Sequence, residues 1–488
     1  MNATGGDSRE LRIDESMAGQ RPHVLILMSD EHRADVAGFA GDPMARTPTL
    51  DWLAEGGVVF NNAYTPSPIC IPARQCILAG QYPPTCGCEG WIDLPERYAT
   101  YPAQFGRYGY RTVAFGKMHL LGRDQLQGWQ SRPAGDIICS IIDDPVVTGL
   151  DKAQVPGDDP LDCPNSLKWS DEKELRRAGP GRSRPADRRA AEAAVDWIDE
   201  RFVGTWYDRH TPHTPTMLYL GLHDPHYPYL CREDLFRYYL PRMRGYAVEQ
   251  PFDHPFLGLS PWPPRPLQAG VDVPQRAVQR ARASYYGQVE TVDEHCGRVL
   301  NALRKAGEDL DQWIIVYLSD HGDQLGEHGV WEKQKFFEGS ARVPMVIRAP
   351  AYLPQGTRID ANVSLCDLFP TLCELAGIPI PDGLDGHSLV PLMRGEAECR
   401  AEEEVCSFFL QQGYRNVMIK RGTLKYQWYE HERQGILPEV LFDLAQDPHE
   451  TINRIDDASM ASQVRRFREQ LAALGYGPHA TGSNVLHR

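Results

Sequence analysis

The chain has 488 residues, of which 42% are hydrophobic and 24% are charged, and this composition is typical of a globular protein long enough for more than one domain. Its formal net charge of −15 argues against a nucleic-acid-binding surface, and no apolar run reaches the length of a membrane span. The 12 cysteines are scattered, which favours a cytoplasmic protein with reduced thiols over a disulfide framework. Residues 1–20 are polar and lack the apolar segment of a signal peptide, so we expect a disordered leader.

Strands and helices alternate along most of the chain. Continuous apolar runs predict buried parallel strands at 23–29, 111–115, 216–222 and 312–319. Apolar residues at helical spacing predict helices at 47–55, 186–202, 279–306 and 366–376. This alternation predicts an α/β domain with a doubly wound, mostly parallel sheet, which we place at 21–395.

Other parts of the chain predict loops and a smaller subdomain. The stretches 136–185 and 241–274 are rich in turn residues and should form long loops, the first of them a lid or a substrate-facing insertion. After residue 396, short β-prone runs are followed by a helical pattern at 460–474. We therefore expect a C-terminal α+β subdomain at 396–488, with a short antiparallel sheet and a closing helix.

Polar residues follow each of the four predicted strands, where ligands collect in open α/β sheets. In chain order these residues are Asp30 and Glu31, Lys117 and His119, His223 and His226, and Asp320 and His321. Any one of them alone is equally compatible with a helix cap, a solvated charge or a core histidine. The adjacent carboxylate and imidazole of Asp320 and His321 favour a divalent metal ion as the counter-ion.

Within the segment 68–80, the run 73–79 has the composition of a helix, and Cys70 should lie at the mouth of that helix. Prolines keep the approach to it extended, and Gly80 is a plausible stop. Cys70 would then lie among free backbone N–H groups, and Arg74 would place a fixed positive charge beside it. We expect an acidic, reactive thiol next to an anion site, and the alternative is an inert buried cysteine.

The pattern Cys70-x-Pro72-x-Arg74 is similar to the signature of the type I sulfatases of the alkaline-phosphatase-like superfamily, and five further motifs resemble those of the family, in order. They are Gly116-Lys117-Met118-His119-Leu120, Pro225-His226-Tyr227-Pro228, the segment 319–329 that begins with Ser319-Asp320-His321-Gly322-Asp323, the segment 336–344, and Leu441-Phe442-Asp443-Leu444. The resemblance spans about 22–453. It implies an alkaline-phosphatase-like fold and hydrolysis of a sulfate ester.

The resemblance also implies two cofactors. In this family the cysteine equivalent to Cys70 is oxidised by a formylglycine-generating enzyme, and the hydrated aldehyde is the nucleophile. One divalent metal ion would be held by Asp30, Asp320, His321 and residue 70. Many relatives have a second Asp where this chain has Glu31, so Glu31 is a further candidate ligand. Many relatives have Asn where this chain has His321, and their site usually holds calcium. The nitrogen of His321 instead favours manganese or another transition metal.

Catalytic roles follow from the same resemblance. Arg74, Lys117 and Lys333 would neutralise the sulfate oxygens. His119 would take a proton from the hydrated aldehyde, and His226 would donate one to the leaving oxygen.

The segments 116–128 and 336–344 resemble choline sulfatases most, so the expected substrate is a small or medium aryl, alkyl or choline-type sulfate. Trp129 would stack against a cationic alcohol or else pack in the core, and His223 would contact the substrate. Two rival hypotheses are a phosphonate monoester or phosphodiester hydrolase with the same site, and a non-catalytic homologue in which Cys70 stays a thiol. Neither a nucleic acid nor a membrane is expected as a partner, and a homo-oligomer is left open.

Overall fold

The computed structural model describes residues 21–135, 172–181, 184–202, 214–243, 254, 267–396, 404–410 and 413–478. The predicted leader at 1–20 lies outside the described residues, as do most of the predicted loops at 136–185 and 241–274. Within the described ranges, no helix combines the length and apolar composition needed to cross a lipid bilayer.

The strands of the N-terminal part form one large sheet and a small two-stranded sheet. Their bounds are β1 Val24–Asp30, β2 Val58–Tyr64, β3 Arg111–Gly116, β4 Ser131–Ala134, β5 Gly179–Pro180, β6 Thr216–Pro225, β7 Leu230–Cys231, β8 Ile314–Ser319, β9 Arg342–Val343, β10 Met345–Arg348 and β11 Thr357–Ser364. The large sheet has the order β11–β2–β10–β8–β1–β6–β3–β4, with β9 beside β2. All the neighbouring pairs along this order are parallel except those that involve β10.

The helices cover both faces of the large sheet. Their bounds are α1 Pro48–Glu55, α2 Cys70–Ala79, α3 Pro83–Cys86, α4 Tyr101–Arg107, α5 Glu172–Arg177, α6 Pro185–Phe202, α7 Glu233–Tyr239, α8 Gln275–Lys305, α9 Glu338–Ala341, α10 Leu368–Leu375, α11 Val390–Met393 and α12 Ala461–Ala473. Alternate residues of β1 point to opposite faces. Ile26 belongs to an apolar cluster that includes α2 and α10, and Leu27 belongs to a cluster that includes α6 and α8. The predicted doubly wound, mostly parallel α/β architecture is confirmed.

Several elements differ from the sequence prediction. Strands β2, β4 and β11 were not predicted; Asn61 and Asn62 interrupt the apolar run of β2, and β4 contains a proline. Helix α5 and strand β5 lie inside the stretch predicted as loop. The pairing of β5 with β7 and the burial of Leu175 supply the long-range contacts that this short, charged segment lacks locally.

The C-terminal part contains the predicted antiparallel sheet and closing helix α12. Its strands are β12 Glu404–Phe409, β13 Asn416–Arg421, β14 Leu424–Trp428, β15 Glu430–His431, β16 Gly435–Ile436 and β17 Val440–Asp443. The sheet order is β12–β13–β14–β17, and β15 pairs with β16. One face packs on α12, whereas the other shares an apolar cluster with Phe336 and Phe337 of the N-terminal part. The division at residue 395 stays a prediction.

Candidate active site

The carboxyl ends of four neighbouring strands place the predicted polar residues at one edge of the sheet. The order β8–β1–β6–β3 puts the strand ends that carry Asp320, Asp30, His223 and Lys117 next to each other. The side chains of these four residues are buried. The strand order thus assembles one site from segments that lie hundreds of residues apart in the chain.

Two glycines let β3 and β6 approach closely at this edge. Gly116 has a φ of 76°, and a Cβ atom there would lie 2.1 Å from the Gly221 carbonyl oxygen. A Cβ atom on Gly221 would lie 2.0 Å from the Lys117 carbonyl oxygen. The Lys117 N–H donates to that Gly221 carbonyl at 2.9 Å. Any side chain at either position would push the two strands apart.

Cys70 is the first residue of helix α2, so its predicted position at the mouth of a helix is confirmed, although the helix begins before the predicted run 73–79. Ile69 precedes it in extended conformation, and Gly80 ends the helix with a φ of 65°. The Cys70 Sγ atom lies 3.1 Å from His321 Nε2 and 3.7 Å from Asp30 Oδ1. The helix therefore delivers the sulfur into the group of buried polar residues.

Four buried residues have the donor chemistry of a metal site. One ligand atom each from Asp30, Cys70, Asp320 and His321 lies within 4.8 Å of the others. The Nδ1 atom of His321 lies 3.1 Å from the Gly322 carbonyl oxygen. Because a carbonyl oxygen only accepts, Nδ1 carries the hydrogen and the Nε2 lone pair faces Cys70. Two carboxylates and one oriented imidazole nitrogen fit a divalent metal ion.

Arg74 joins the two carboxylates of this group. Its guanidinium lies 2.7 Å from Asp320 Oδ2 and 3.1 Å from Asp30 Oδ2. It also donates to the Lys117 carbonyl oxygen at 2.9 Å and to the Tyr219 hydroxyl at 3.0 Å. These contacts fix the position of the guanidinium within the site.

Two buried lysines add positive charge. The Lys117 ammonium lies 2.6 Å from Asp30 Oδ2, and the Lys333 ammonium lies 2.8 Å from Glu31 Oε2. The buried formal charges of the site are then three negative and three positive, from Asp30, Glu31, Asp320, Arg74, Lys117 and Lys333. A divalent cation would make the set net positive, which suits a bound anion.

Glu31 does not belong to the four-residue ligand group. Its Oε2 atom lies 3.4 Å from His226 Nε2 and also beside Lys333, whereas its buried Oε1 atom makes no hydrogen bond to any residue that the structure describes. It forms a second potential metal group with Asp30 and His226. Its φ of 67° is a backbone conformation that residues other than glycine rarely adopt. Burial raises the pKa of Glu31 well above its usual range, although Lys333 acts in the opposite direction.

The two histidines expected to move protons are buried in a positively charged surrounding. The pKa of His119 lies well below its usual value, mainly because the ring is buried and next because of the positive charge of Lys117. Burial, followed by the charge of Lys333, lowers the pKa of His226 in the same way. The Nδ1 atom of His226 donates to the Tyr227 carbonyl oxygen at 2.6 Å, so its Nε2 atom faces Glu31. Both imidazoles are therefore neutral bases at neutral pH.

Comparison with known proteins decides the family. A family model described as Sulfatase matches residues 22–378, which is more than half of the chain. The chain belongs to the sulfatase family. It is a sulfuric ester hydrolase, and the family hypothesis from its motifs is confirmed. A second model, described as N-sulphoglucosamine sulphohydrolase, C-terminal, matches residues 326–476 of this sulfatase.

Curated relatives match the sulfatase over most of its length. It is 29% identical to the choline-sulfatase of Rhizobium meliloti, and the match covers 94% of this chain and 87% of the relative. It is 28% identical to the arylsulfatase of Clostridium perfringens, and the match covers 92% of this chain and 94% of the relative. It is 27% identical to arylsulfatase K of Homo sapiens, and the match covers 89% of this chain and 79% of the relative.

Solved structures confirm the alkaline-phosphatase-like fold of this sulfatase. The phosphonate monoester hydrolase of Agrobacterium radiobacter superposes with a TM-score of 0.72 at 24% identity, covering 93% of this chain and 95% of the other. BT4656, in complex with its substrate D-glucosamine-2-N,6-O-disulfate, gives a TM-score of 0.70 at 20% identity, covering 93% and 97%. At these identities the likeness concerns the fold alone.

The expected acidity of Cys70 is wrong for the thiol of this sulfatase. Burial, followed by the charge of Asp30, raises the pKa of Cys70 to about 11, although Lys333 and Lys117 act in the opposite direction. The helix N-terminus and the nearby cations favour the thiolate, but removal from water disfavours it more.

The two expected substrate contacts lie in different surroundings. Trp129 is only 2% exposed and belongs to the main apolar cluster, with its ring centroid 5.8 Å from that of Tyr101 and 5.6 Å from that of Tyr219. Of the two predicted roles of Trp129, stacking on the substrate or packing in the core, the structure therefore shows the second. We withdraw Trp129 as a substrate contact because the rings of Tyr101 and Tyr219 cover its ring. His223 lies at the end of β6 and is held by Asp187 through its Nδ1 atom at 2.9 Å.

Sequence reasoning missed three residues that support the site. Tyr219 binds Arg74 and the Lys117 carbonyl oxygen, and Asp93 accepts hydrogen bonds from the backbone just after His119, at Leu121 (2.7 Å) and Gly122 (2.6 Å). Asp187 is the third. An acidic residue in the first turn of a helix normally indicates a favourable contact with the helix dipole, so no feature of the sequence points to its partner on β6.

Proposed function

We propose that this sulfatase cleaves a small or medium sulfate monoester with a formylglycine formed from Cys70 and with one divalent metal ion. The observation that carries the proposal is the position of Cys70 Sγ, which lies 3.1 Å from His321 Nε2 and 3.7 Å from Asp30 Oδ1. A side chain at position 70 therefore completes the ligand group with Asp30, Asp320 and His321. A formylglycine-generating enzyme is the partner that this maturation requires.

When bound, the metal ion would supply Lewis-acid polarisation of a sulfate oxygen, and the formylglycine would supply a hydrated aldehyde as the nucleophile. The chain itself supplies the positive charge. Arg74, Lys117 and Lys333 are buried cations next to the ligand group, where a low dielectric strengthens their attraction for the sulfate oxygens. The present partners of Arg74 and Lys117 are Asp30 and Asp320, whose charge a metal ion would neutralise, so that these two cations would become available to the ester.

The histidines divide the proton transfers between them. His119 is a neutral base before the reaction and accepts the proton of a hydroxyl at position 70. His226 donates its Nδ1 hydrogen to a carbonyl, so the proton for the leaving oxygen is carried on Nε2, beside Glu31. Binding of an anionic ester next to this imidazole raises its pKa toward the range of a general acid.

The leaving alcohol is an aryl, alkyl or choline-type group. The curated relatives support this class, because choline-sulfatase and arylsulfatase are among them, at 29% and 28% identity.

Mass spectrometry of the proteolytic peptide that contains Cys70 tests the proposal. The protein is produced together with a formylglycine-generating enzyme, and Cys70→Ala serves as the unmodified control. We expect an aldehyde in place of the thiol and hydrolysis of 4-nitrophenyl sulfate that is lost in the control. An unmodified thiol, in cells that modify a reference sulfatase, contradicts the proposal and favours the anion-binding homologue.

A phosphonate monoester hydrolase is the second candidate, favoured by the fold shared with the Agrobacterium radiobacter enzyme, at a TM-score of 0.72. A phosphonate monoester carries one negative charge, as a sulfate ester does, so the same three cations suit both. Rates on 4-nitrophenyl sulfate and on its phosphonate counterpart separate the two. Equal or faster phosphonate cleavage assigns the enzyme to the second class.

We also propose a cytoplasmic location. Nine cysteines among the described residues are free and buried, which suits a reducing compartment.

A further inference from the structure

The aromatic ring of Tyr227 lies against two residues of the proposed machinery. Its centroid lies 4.2 Å from that of the His226 imidazole, with 32° between the two ring planes. It also lies 5.1 Å from the Lys333 ammonium nitrogen, which is within the range of a cation–π interaction. Tyr227 is only 6% exposed and Lys333 only 4%. Both contacts of the ring are therefore shielded from water.

Glu31 contacts the same two groups by a different kind of interaction. Its Oε2 atom lies 2.8 Å from the Lys333 ammonium and 3.4 Å from His226 Nε2. A carboxylate carries a full negative charge that offsets the charge of the lysine. An aromatic face attracts an ammonium group through the ring quadrupole and carries no net charge. The Tyr227 ring therefore holds Lys333 while leaving its positive charge available for a sulfate oxygen.

The backbone around Tyr227 is held by contacts that do not use its ring. Arg184 donates to the Tyr227 carbonyl oxygen at 2.7 Å. Gln288 donates to the carbonyl oxygens of His226 and Pro228, at 3.2 Å each. The Tyr227 carbonyl oxygen also accepts the Nδ1 hydrogen of His226 at 2.6 Å. A change of the Tyr227 side chain should therefore leave the path of the backbone in place.

Packing alone is the other role open to this ring. Tyr227 belongs to an apolar cluster that includes residues of α7 and α8. Tyr286 belongs to the same cluster and is 4% exposed, but its ring lies against Tyr239, with 5.6 Å between the centroids. Tyr286 thus offers a buried ring of the same size whose ring contact is with another aromatic residue. A comparison of the two tyrosines separates packing from a role in the reaction.

We propose that Tyr227 is a positioning residue for the hydrolysis of the sulfate ester. Its ring holds the His226 imidazole by stacking, so that Nε2 is directed at the leaving oxygen. It holds the Lys333 ammonium by a cation–π contact, so that an N–H of Lys333 is directed at a sulfate oxygen. The inference rests on the proposed function, which assigns these roles to His226 and Lys333. It adds an uncharged group to the charged residues of the site.

Steady-state kinetics of the formylglycine-containing enzyme on 4-nitrophenyl sulfate test this role. Tyr227→Phe keeps both ring contacts, so its kcat should stay within about threefold of wild type. Tyr227→Leu removes both. We expect its kcat to fall at least about tenfold, with KM changed less than about threefold, because both groups act mainly on charge that develops in the transition state. Tyr286→Leu is the matched control for loss of a buried ring and should keep the wild-type kcat.

A second substrate and a double variant add readouts that packing alone would not change. Phenyl sulfate has a more basic leaving oxygen than 4-nitrophenyl sulfate, so Tyr227→Leu should lose more kcat on phenyl sulfate if His226 is misplaced. In a Lys333→Met background, adding Tyr227→Leu should cost less than in wild type, because the cation is already absent. Equal losses in Tyr227→Leu and Tyr227→Phe, the same loss on both substrates, or full multiplication with Lys333→Met overturns the proposal.

Fluorinated phenylalanines at position 227 give a test that does not depend on the folding of Tyr227→Leu. Fluorine weakens the negative potential of the ring face and leaves the size of the ring nearly unchanged. We expect kcat to fall progressively from phenylalanine to 3,4,5-trifluorophenylalanine at this position. A constant kcat along this series overturns the cation–π contact with Lys333.

NMR of protein labelled with ¹³C-histidine measures the stacking without any need for hydrolysis. The Tyr227 ring should shift the ring protons of His226 upfield in wild type and in Tyr227→Phe, but not in Tyr227→Leu. The absence of this shift from the wild type overturns the inference about Tyr227. A wild type that shows the shift and hydrolyses no sulfate ester contradicts the proposed function instead.

Discussion

At position 321 an imidazole nitrogen lies beside the carboxylates of Asp30 and Asp320. The Gly322 carbonyl orients the ring, so the Nε2 lone pair faces the ligand group at 3.1 Å from Cys70 Sγ. Imidazole nitrogen suits transition metals better than calcium, which prefers an all-oxygen shell. We therefore expect the side chain at 321 to set the preference of the proposed metal site for one ion over another.

His321→Asn should move this preference toward calcium, because the amide offers oxygen in place of nitrogen. Elemental analysis after incubation with equal Mn²⁺ and Ca²⁺ measures the change. We expect the Ca²⁺ to Mn²⁺ ratio in the protein to rise at least about tenfold. The exposed His387→Asn is the control and should leave the ratio unchanged. A wild-type ratio in His321→Asn would remove this residue from the ligand group.

The state of Cys70 argues for its modification. A thiol with a pKa of about 11 is protonated at neutral pH and is a poor nucleophile. The buried surroundings that suppress the thiolate are also those that strengthen the attraction between cations and sulfate. The raised pKa is consistent with our proposal that a formylglycine, and not the cysteine thiolate, acts at position 70.

Among the secondary-structure elements, the pair β3 and β6 sets the spacing of the site. Lys117 and His119 follow β3, whereas His223 and His226 lie at the end of β6 and just after it. The glycines at 116 and 221 allow the two backbones to touch before the strands diverge. The relative positions of these four candidate residues consequently depend on the absence of a side chain at Gly116 and at Gly221.

Gly221→Ala should separate these strand ends. The added Cβ atom would lie 2.0 Å from the Lys117 carbonyl oxygen, and a backbone atom cannot move away without shifting Lys117. We expect a loss of about 3 kcal/mol in the free energy of unfolding and at least tenfold lower kcat. Urea unfolding and 4-nitrophenyl sulfate kinetics measure the two effects.

Gly135→Ala is the control for this change, because the nearest atom to its added Cβ lies 3.6 Å away. It should change neither quantity appreciably. Equal behaviour of the two variants would show that the close approach of β3 and β6 is not required.

On the scale of the whole molecule, a buried lysine joins the C-terminal sheet to the N-terminal part. Lys425 on β14 is fully buried, with its ammonium 2.9 Å from Glu338 Oε1 and 2.7 Å from Glu450 Oε1. Burial alone would raise the pKa of Glu338, but Lys425 and Arg342 lower it to about 2. The two parts of the chain are thus held by ionic contacts as well as by a shared apolar cluster.

Lys425→Met should destabilise the protein by about 3 kcal/mol, because the buried carboxylate of Glu450 and the partly buried carboxylate of Glu338 lose their shared partner. The pH dependence should change as well. In the wild type, the unfolded state binds more protons at Glu338 between pH 4.5 and 2, so stability falls as pH decreases through this window. In the variant this acid-dependent loss should be smaller.

Thermal unfolding from pH 2 to 7 measures both effects, with the exposed Lys305→Met as control. Parallel curves for wild type and Lys425→Met would contradict the assigned role of Glu338.

The sequence by itself determined what depends on local pattern. Apolar runs fixed the strands that carry Asp30, Lys117, His226 and Asp320, and turn residues placed Cys70 at the mouth of a helix. Neighbouring parallel strands share one edge, so the polar residues after them could be placed in one site before their contacts were known. The motifs then sufficed for the family.

Only the tertiary structure decided which charges meet and how far they are removed from water. Glu31 pairs with Lys333 across 302 positions, Asp187 meets His223, and Trp129 is enclosed by other rings. Burial also reversed the expected acidity of Cys70. The physical reason is that local periodicity reflects backbone geometry, whereas the partners and the desolvation of a side chain depend on segments far away in the chain.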